Sequence, residues 1–307
     1  MIFLIRTINV TKIKEFLYKY PLYHICRDFY YAHIFPLYYK LVFLKAVIKK
    51  GFKVKAILVY PELPKSRFVL SRITHTLGYH ITNKPNSNVV AVINNEDATL
   101  KKDDDVLKSL SMKYKIINYN CHDISKKRIA SAFEKTFGYN ISINPFLEMG
   151  YFLKKSDKNA QHDGKIIMCP IDKIEEGFVY QKFINTEYIK DILIDIRAPV
   201  YCDIIPFLYL KYRYKQYLCG RKIIKDEMVE VHEVLSQEEV EKILLFCKEI
   251  GLDFGELDIL RDKDDGRLYI VDANTTPGNL ARCLSKKEKK LALKRLALTF
   301  EKAFLLP

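Results

Sequence analysis

The sequence predicts an α/β fold of two or three lobes, and three observations carry that reading. Short apolar stretches alternate with amphipathic ones early in the chain: a strand at Lys55–Tyr60, a helix at Ser66–Leu77 stopped by Gly78, and a strand at Val89–Ile93. Two capping boxes, Ser236 with Glu239 and Ser285 with Glu288, open helices later in the chain. Between them, Leu252–Leu280 reads as two strands around a turn, one carrying two acids and the other an acid and an amide two residues apart. A length of 307 residues allows a sizeable core for such an arrangement.

The paired strands are the most informative stretch. Side chains two apart on a strand share a face, so Glu256 goes with Asp258 and Asp272 with Asn274. A three-residue turn at Asp264-Asp265-Gly266, with glycine at its left-handed position, sets Asp258 opposite Asp272, Glu256 opposite Asn274 and Leu260 opposite Ile270. The other face is then apolar, with Leu257 and Ile259 against Ala273 and Val271. Three carboxylates on one sheltered patch repel unless a cation sits among them, and few oxygen ligands of this kind suit magnesium. A solvated acidic hairpin is the plainer alternative. A calcium loop, suggested by Asp262, Asp264 and Gly266, fails because its twelfth position, where a bidentate Glu is needed, is Ala273.

Composition sets outer bounds. Hydrophobic residues make up 49% and charged residues 29%, a globular balance. The net charge of +14 favours anionic partners: nucleotide phosphates, acidic sugars, nucleic acid or a membrane surface. Seven scattered cysteines without C-x-x-C spacing argue against a disulfide framework or a zinc site and for a reducing compartment. The apolar run Met1–Ile5 is too short for a signal peptide, and no apolar stretch is long enough to span a bilayer as a helix. A cytoplasmic protein is expected.

Residues 1–56 hold eleven Lys or Arg against Glu15 and Asp28, interleaved with Tyr and Phe. Tyr31, Ile34, Phe35, Tyr38, Leu41 and Val42 recur at helical spacing, and Pro36 kinks that helix or lies near its start. The stripe either packs on the following domain or forms a basic aromatic surface for anionic lipid or a polyanionic glycan. Further on, Asp103–Asp105 reads as a loop or helix start. Asp123 or Ser125 caps a helix with Ile129, Ala132, Phe133 and Phe137 on one stripe, ended by Gly138. Tyr151–Ile167 reads as strand, polar loop, strand, and Phe178–Ile184 as an apolar strand interrupted by Gln181 and Lys182. Arg197 stands among apolar residues in a strand; burial there calls for an anionic partner, with Asp195 and Asp203 as nearby candidates. The last two helices are expected to turn Val240, Ile243, Leu244 and Cys247, and Leu291, Leu293, Leu296 and Phe300, inward.

The motif D-x-N-x-x-P-G after an apolar strand, here Asp272, Asn274, Pro277 and Gly278 with Asp258 on the facing strand, resembles the metal-binding end of the ATP-grasp superfamily. The resemblance runs from about Asp123 to Gly278, with its parts in family order. It implies that Asp258, Asp272 and Asn274 hold magnesium or manganese ions bridging the phosphates of ATP. The segment Asp123, Lys126, Gly138, Pro145 is similar to the helix leading into the nucleotide-binding lobe, and the hairpin from Tyr151 to the flap over the phosphates. In that flap Lys155, with Lys154 as competitor, would meet a phosphate. Gly164 alone stands where several glycines are common, so Ser156, Asn159 or His162 would substitute for a glycine-rich cradle. Adenine would bond to the main chain of Lys182 and Ile184, with Gln181 pointing at adenine or the lysine and Glu187 a candidate for a ribose hydroxyl. Arg197 or Arg213, with Arg221 on the same basic stretch, would stabilise the transferred phosphoryl group.

The expectation is therefore an ATP-grasp-like α/β protein with a nucleotide cleft between two lobes. Residues 1–56 form a basic helical segment, 57–120 a small α/β lobe, 121–185 an ATP-binding lid and 186–307 the lobe with the metal site. The implied activity is ligation of a carboxylic acid to an amine or similar nucleophile through an acyl phosphate. The acceptor is small-molecule or glycan, anionic and unnamed by the sequence. Alternatives are a kinase acting on a hydroxyl, with His162 and Asp163 as the nearest bases, and a fold that binds nucleotide or polyanion without turnover. ATP is the expected partner, with peripheral membrane contact through the first segment; nucleic acid is not expected.

Overall fold

The computed structural model describes residue 26 and residues 29–161, 163–217 and 223–306. A π-helical turn, Tyr30–Ile34, leads into α1 (Phe35–Lys49), which has proline in its first turn, where a missing N–H costs nothing. The small lobe follows: β1 (Ala56–Pro61), α2 (Val69–Leu77), β2 (His80–Thr82), β3 (Val89–Asn95), α3 (Asp105–Ser111) and β4 (Ile116–Ile117). Its four strands are all parallel, in the order β2-β1-β3-β4. Strands buried on both faces need continuous apolar runs, and Ile57, Leu58 and Val59 are wholly buried. The helix expected from Ser66 starts only at Val69, after a turn. Asp104 caps α3, accepting from the N–H groups of Val106 and Leu107.

Then come α4 (Lys126–Phe137) and the lid: β5 (Gly150–Ser156), β6 (Lys165–Cys169) and β7 (Phe178–Lys182), an antiparallel sheet ordered β6-β5-β7. Ser125 caps α4, with Asp123 accepting from the Ser125 N–H, and Gly138 ends it at φ 80°. The largest sheet is built of β8 (Glu187–Ile189), β9 (Ile192–Tyr201), β10 (Leu208–Tyr214), β11 (Lys225–Val229), β12 (Phe254–Arg261) and β13 (Leu268–Asn274). It is antiparallel, in the order β11-β10-β9-β12-β13, with β8 beside β9. Helices α5 (Gln237–Ile250) and α6 (Lys286–Phe304) open on the two expected capping boxes.

The large sheet has two unlike faces. On one, Ile196, Ala198, Val200, Leu257, Ile259 and Ala273 pack under α4 and α5, giving the main core. On the other, Tyr201, Phe207, Tyr209 and Phe254 join α6, α2, β1 and β3 in a second core. The remainder of that second face carries Asp195, Arg197, Lys211, Arg213, Glu256, Asp258 and Asp272, and the lid meets the sheet along β13.

The helix stripes needed correction where a helix is apolar on more than one side. In α6 the buried residues are Ala292, Leu296, Ala297 and Phe300, while Leu291 is exposed. In α5 the fully buried set is Ile243, Phe246, Cys247 and Ile250; Val240 and Leu244 are only partly covered. In α1 the buried residues are Tyr39 and Val47, facing α2, whereas Ile34, Tyr38 and Leu41 are exposed. Of the stripe read from the sequence, Ile34, Tyr38 and Leu41 turn outward while Phe35 and Val42 are half-buried, so it packs only along one edge. Tyr39 is fixed by the Arg72 Nε, which donates to its hydroxyl at 2.6 Å. No helix among the described residues is long and apolar enough to cross a membrane.

Candidate active site

The register of the central hairpin follows the sequence at its functional end and departs from it toward the turn. Glu256 pairs with Asn274 and Asp258 with Asp272, but Ile259, not Leu260, faces Ile270, and Leu260 faces Tyr269. One extra residue in β13, Val271, makes a bulge between the two halves. The bulge has a physical basis: Leu257 with Ala273 and Ile259 with Ile270 are all wholly buried, and the extra residue keeps both pairs on the core face.

Close approach of the two strands needs Gly255. A Cβ there would stand 2.5 Å from the Asn274 carbonyl oxygen and 2.8 Å from Leu252 Cδ1. Gly266, at φ 72° in the turn, has open space around it. Gly255→Ala is therefore expected to cost about 2–3 kcal/mol in a denaturant titration, because backbone must move. Gly266→Ala is expected to cost only about 1 kcal/mol, from conformational strain alone.

The charged face is assembled from four neighbouring strands. Arg197 on β9 sits opposite Asp258 on β12, and Lys211 on β10 opposite Asp195 on β9. Arg197 grips Asp258 in a bidentate pair, with Nε at 2.9 Å and Nη2 at 3.1 Å from the two carboxylate oxygens. Its Nη1 lies 3.2 Å from Glu256 Oε2, and Lys211 Nζ donates to Asp258 at 3.1 Å. Arg213 pairs with Asp195 at 2.6 Å. The partner of Arg197 is thus neither Asp195 nor Asp203; Asp195 is taken by Arg213, two residues along the next strand.

These contacts set the charge states. Burial alone would raise the Asp258 carboxyl, but Arg197 and Lys211 outweigh it and hold it well below the usual carboxylate range. Glu256, fully buried, goes the other way: desolvation prevails over Arg197 and raises it. Burial would lower Arg197, but Asp258 and Glu256 raise it above its ordinary value. Asp195 is raised by burial against the pull of Arg213.

Two lysines reach the same face from elsewhere. Lys126, at the start of α4 and itself buried, donates to Asp272 Oδ1 at 2.8 Å and to Asn159 in the flap. Asn159 in turn donates to the Ala273 carbonyl at 2.9 Å, closing the flap over the hairpin. Lys155 points down from the lid, its Nζ 3.5 Å from the Val271 carbonyl. Lys154 points away, pairing with Glu175 and lying 4.5 Å above the Phe178 ring.

At the other end of the lid the acids of the hairpin turn find their role. Lys182 Nζ lies 2.8 Å from Asp262 and 2.7 Å from Asp265 and donates to the Tyr269 hydroxyl at 3.0 Å. Burial would lower this lysine, but those three partners raise it. Asn185 donates to Asp264 at 2.9 Å. The turn that resembles half a calcium loop is thus a latch between lid and sheet.

Of the remaining expected residues, Gln181 is buried and its Oε1 has no hydrogen-bond partner among the described residues. The Lys182 N–H donates to the Ile141 carbonyl at 2.8 Å, and Ile184 is buried. Ser156 Oγ accepts from the Lys158 N–H, and Asp163 accepts from the Ser156 N–H. Glu187 accepts from the Asp191 N–H at 3.0 Å and from Lys215 at 3.1 Å. Asn274 Oδ1 accepts from the Thr276 N–H at 2.9 Å, and Thr276 donates to Asp97 of the small lobe. His162 and Arg221 lie outside the described residues. Lys211 was missed; alternation in LYLKYRY puts it on the face of Arg213, a signal present but unused.

No protein-family model matches the sequence, and no curated protein does. Solved structures are similar in fold at low identity. ATP-grasp ligase PsnB in complex with a minimal precursor is 11% identical, over 80% of this chain and 99% of that one, with a TM-score of 0.46. D-alanine–D-alanine ligase from Bacillus anthracis complexed with ATP is 13% identical, over 82% and 97%, with a TM-score of 0.49. A RimK domain ATP-grasp protein from Sphaerobacter thermophilus is 11% identical, over 82% and 100%, with a TM-score of 0.48. The helix, flap, lid strand and acidic hairpin follow one another in this α/β fold in the order that the motifs of the sequence predict.

Proposed function

We propose that the cleft joins a carboxylic acid to an amine or similar nucleophile at the expense of ATP. The observation that carries this reading is the gathering of Lys126, Lys155, Arg197, Lys211 and Arg213 with Asp258 and Asp272 on or above one sheet face under a flap. Such a face suits two anions brought together, the triphosphate and an acceptor carboxylate, whose mutual repulsion it offsets.

In this reading Lys155 and Lys126 bind the phosphates, and the main chain of Lys182 and Ile184 holds adenine beside the latch. Gln181 shares the lid face of Lys155 and borders the same nucleotide, whereas Ser156 lies on the other face, in a cavity with Thr99, Asp157 and Phe178; Glu187, fixed by Lys215, borders the ribose. Arg197 and Lys211 neutralise the phosphoryl group in flight, and Arg213 helps to orient the acceptor. The γ-phosphoryl passes to a carboxylate oxygen as ADP leaves; the nucleophile then attacks the acyl carbon, loses its proton and expels phosphate. A magnesium ion, when bound, would be held by Asp258, Asp272 and Asn274 and would supply positive charge to offset that of the transferring phosphoryl group. Asp258, Asp272 and Asn274 fit it by donor chemistry: two carboxylates and an amide oxygen share one face, and each carboxylate already draws a cation.

Ligation is favoured over phosphorylation of a hydroxyl by how the acids are used. Asp195, Glu256, Asp258 and Asp272 each face a lysine or arginine, and Asp163 accepts a backbone N–H. Among these described acids, a hydroxyl acceptor would have to compete with such partners to lose its proton. Screening for ADP release with ATP and magnesium against panels of acids and amines tests the reading. It expects release only when an acid is present; release with sugars or alcohols alone would count against it.

The flap offers a sharper check. Lys155→Ala is expected to weaken binding of a non-hydrolysable ATP analogue by about tenfold or more, the scale of a charged hydrogen bond, and Lys154→Ala by about twofold at most. Calorimetric titration of both variants reads the difference. Equal effects would mean that the nucleotide does not lie under this strand.

A further inference from the structure

We propose that the outward face of the first helix docks the protein on an anionic membrane surface. Tyr30, Ile34, Leu37, Leu41, Leu44 and Ile48 recur at intervals of four and three along the π-turn and α1, each 44–58% exposed. Such spacing draws one apolar stripe down a helix. Tyr38 and Phe52 extend it at its edge and end, and both are exposed. The opposite side of α1, with Tyr39 and Val47, is the side used against α2, and among the described residues the stripe belongs to no buried core.

Charge selects the occupant. Residues 29–61 contain six lysines and no Asp or Glu. On the helical net Lys40 lies on one flank of the stripe and Lys45 and Lys49 on the other, all exposed. Lysines with apolar stems beside an apolar stripe can lay those stems along the acyl boundary while their ammonium groups stay among phosphate headgroups. Tyr30 and Tyr38 add rings whose hydroxyls suit the same wet boundary. A protein partner for so one-sided a surface would itself have to be acidic and apolar at once, whereas an anionic bilayer offers both properties everywhere. None of the stripe residues takes part in the ion pairs of the charged face, so the inference stands whatever the chemistry there.

The test is co-sedimentation of the full chain with phosphatidylcholine vesicles, with and without about one third phosphatidylglycerol. Two triple variants accompany it: Leu37→Ser/Leu41→Ser/Leu44→Ser, which removes the apolar stripe, and Lys40→Glu/Lys45→Glu/Lys49→Glu, which reverses its rim. None of these six side chains is buried, so thermal melting should be close to that of the parent and checks that the variants fold. The parent is expected to bind the anionic vesicles and to lose binding in high salt, and each variant to lose about tenfold or more in partitioning. Equal binding to neutral and anionic vesicles, no binding to either, or unchanged binding of either folded variant would overturn the proposal. So would light scattering that shows a dimer abolished by the serine variant, since a second copy would then cover the stripe.

Discussion

Asp272→Asn is expected to lower magnesium-dependent ATP turnover by about 100-fold or more, the usual scale for removing a placed charge from a reacting centre, with little change in melting temperature. Asp272 lies opposite Asp258 on the paired strand and is held by Lys126 through an ion pair of 2.8 Å. An asparagine still accepts the Lys126 hydrogen bond and keeps the shape of the side chain, so the fold has little reason to respond. What it loses is the negative charge that a divalent cation requires. Turnover close to that of the parent would remove Asp272 from the metal set.

Arg197 gives the larger effect on stability. Its guanidinium is the shared counter-ion of Glu256 and Asp258, and Glu256 is almost wholly buried. Arg197→Met leaves both carboxylates facing each other's charge, and a broken buried pair costs about 3–5 kcal/mol. Denaturant titration should show that loss. Adding Glu256→Gln to the same chain should recover part of it, because the buried charge that lost its partner is then gone. No recovery in the double variant would mean that Arg197 acts through packing rather than charge.

Much of this site could be read from the chain because its parts are local. Alternation along one strand separates Lys155 from Lys154, and the structure does turn them to opposite sides, toward Val271 and toward Glu175. A short turn joins the two acid-bearing strands, so their antiparallel pairing follows from spacing, although it is the bulge at Val271 that brings Asp258 opposite Asp272. What the chain does not display is pairing between distant strands. Arg197 finds Asp258 because β9 lies between β10 and β12, an order set by the whole sheet, and the nearer acids Asp195 and Asp203 were misleading for that reason. The bulge at Val271 was hidden similarly, since either register satisfies the local alternation. In α1 the difficulty was different: apolar residues line more than one side of the helix, and periodicity reveals stripes without saying which one meets a neighbour.

Trapping with hydroxylamine bears most directly on the proposed chemistry. The full chain would be incubated with ATP, magnesium, hydroxylamine and a panel of carboxylic acids, with no amine acceptor present. If an acyl phosphate forms on the charged face, one acid should yield a hydroxamate in step with ADP, and Asp272→Asn should suppress both. A stable phosphate ester on a hydroxyl compound, with ADP released and no hydroxamate from any acid that promotes release, would contradict the ligase account.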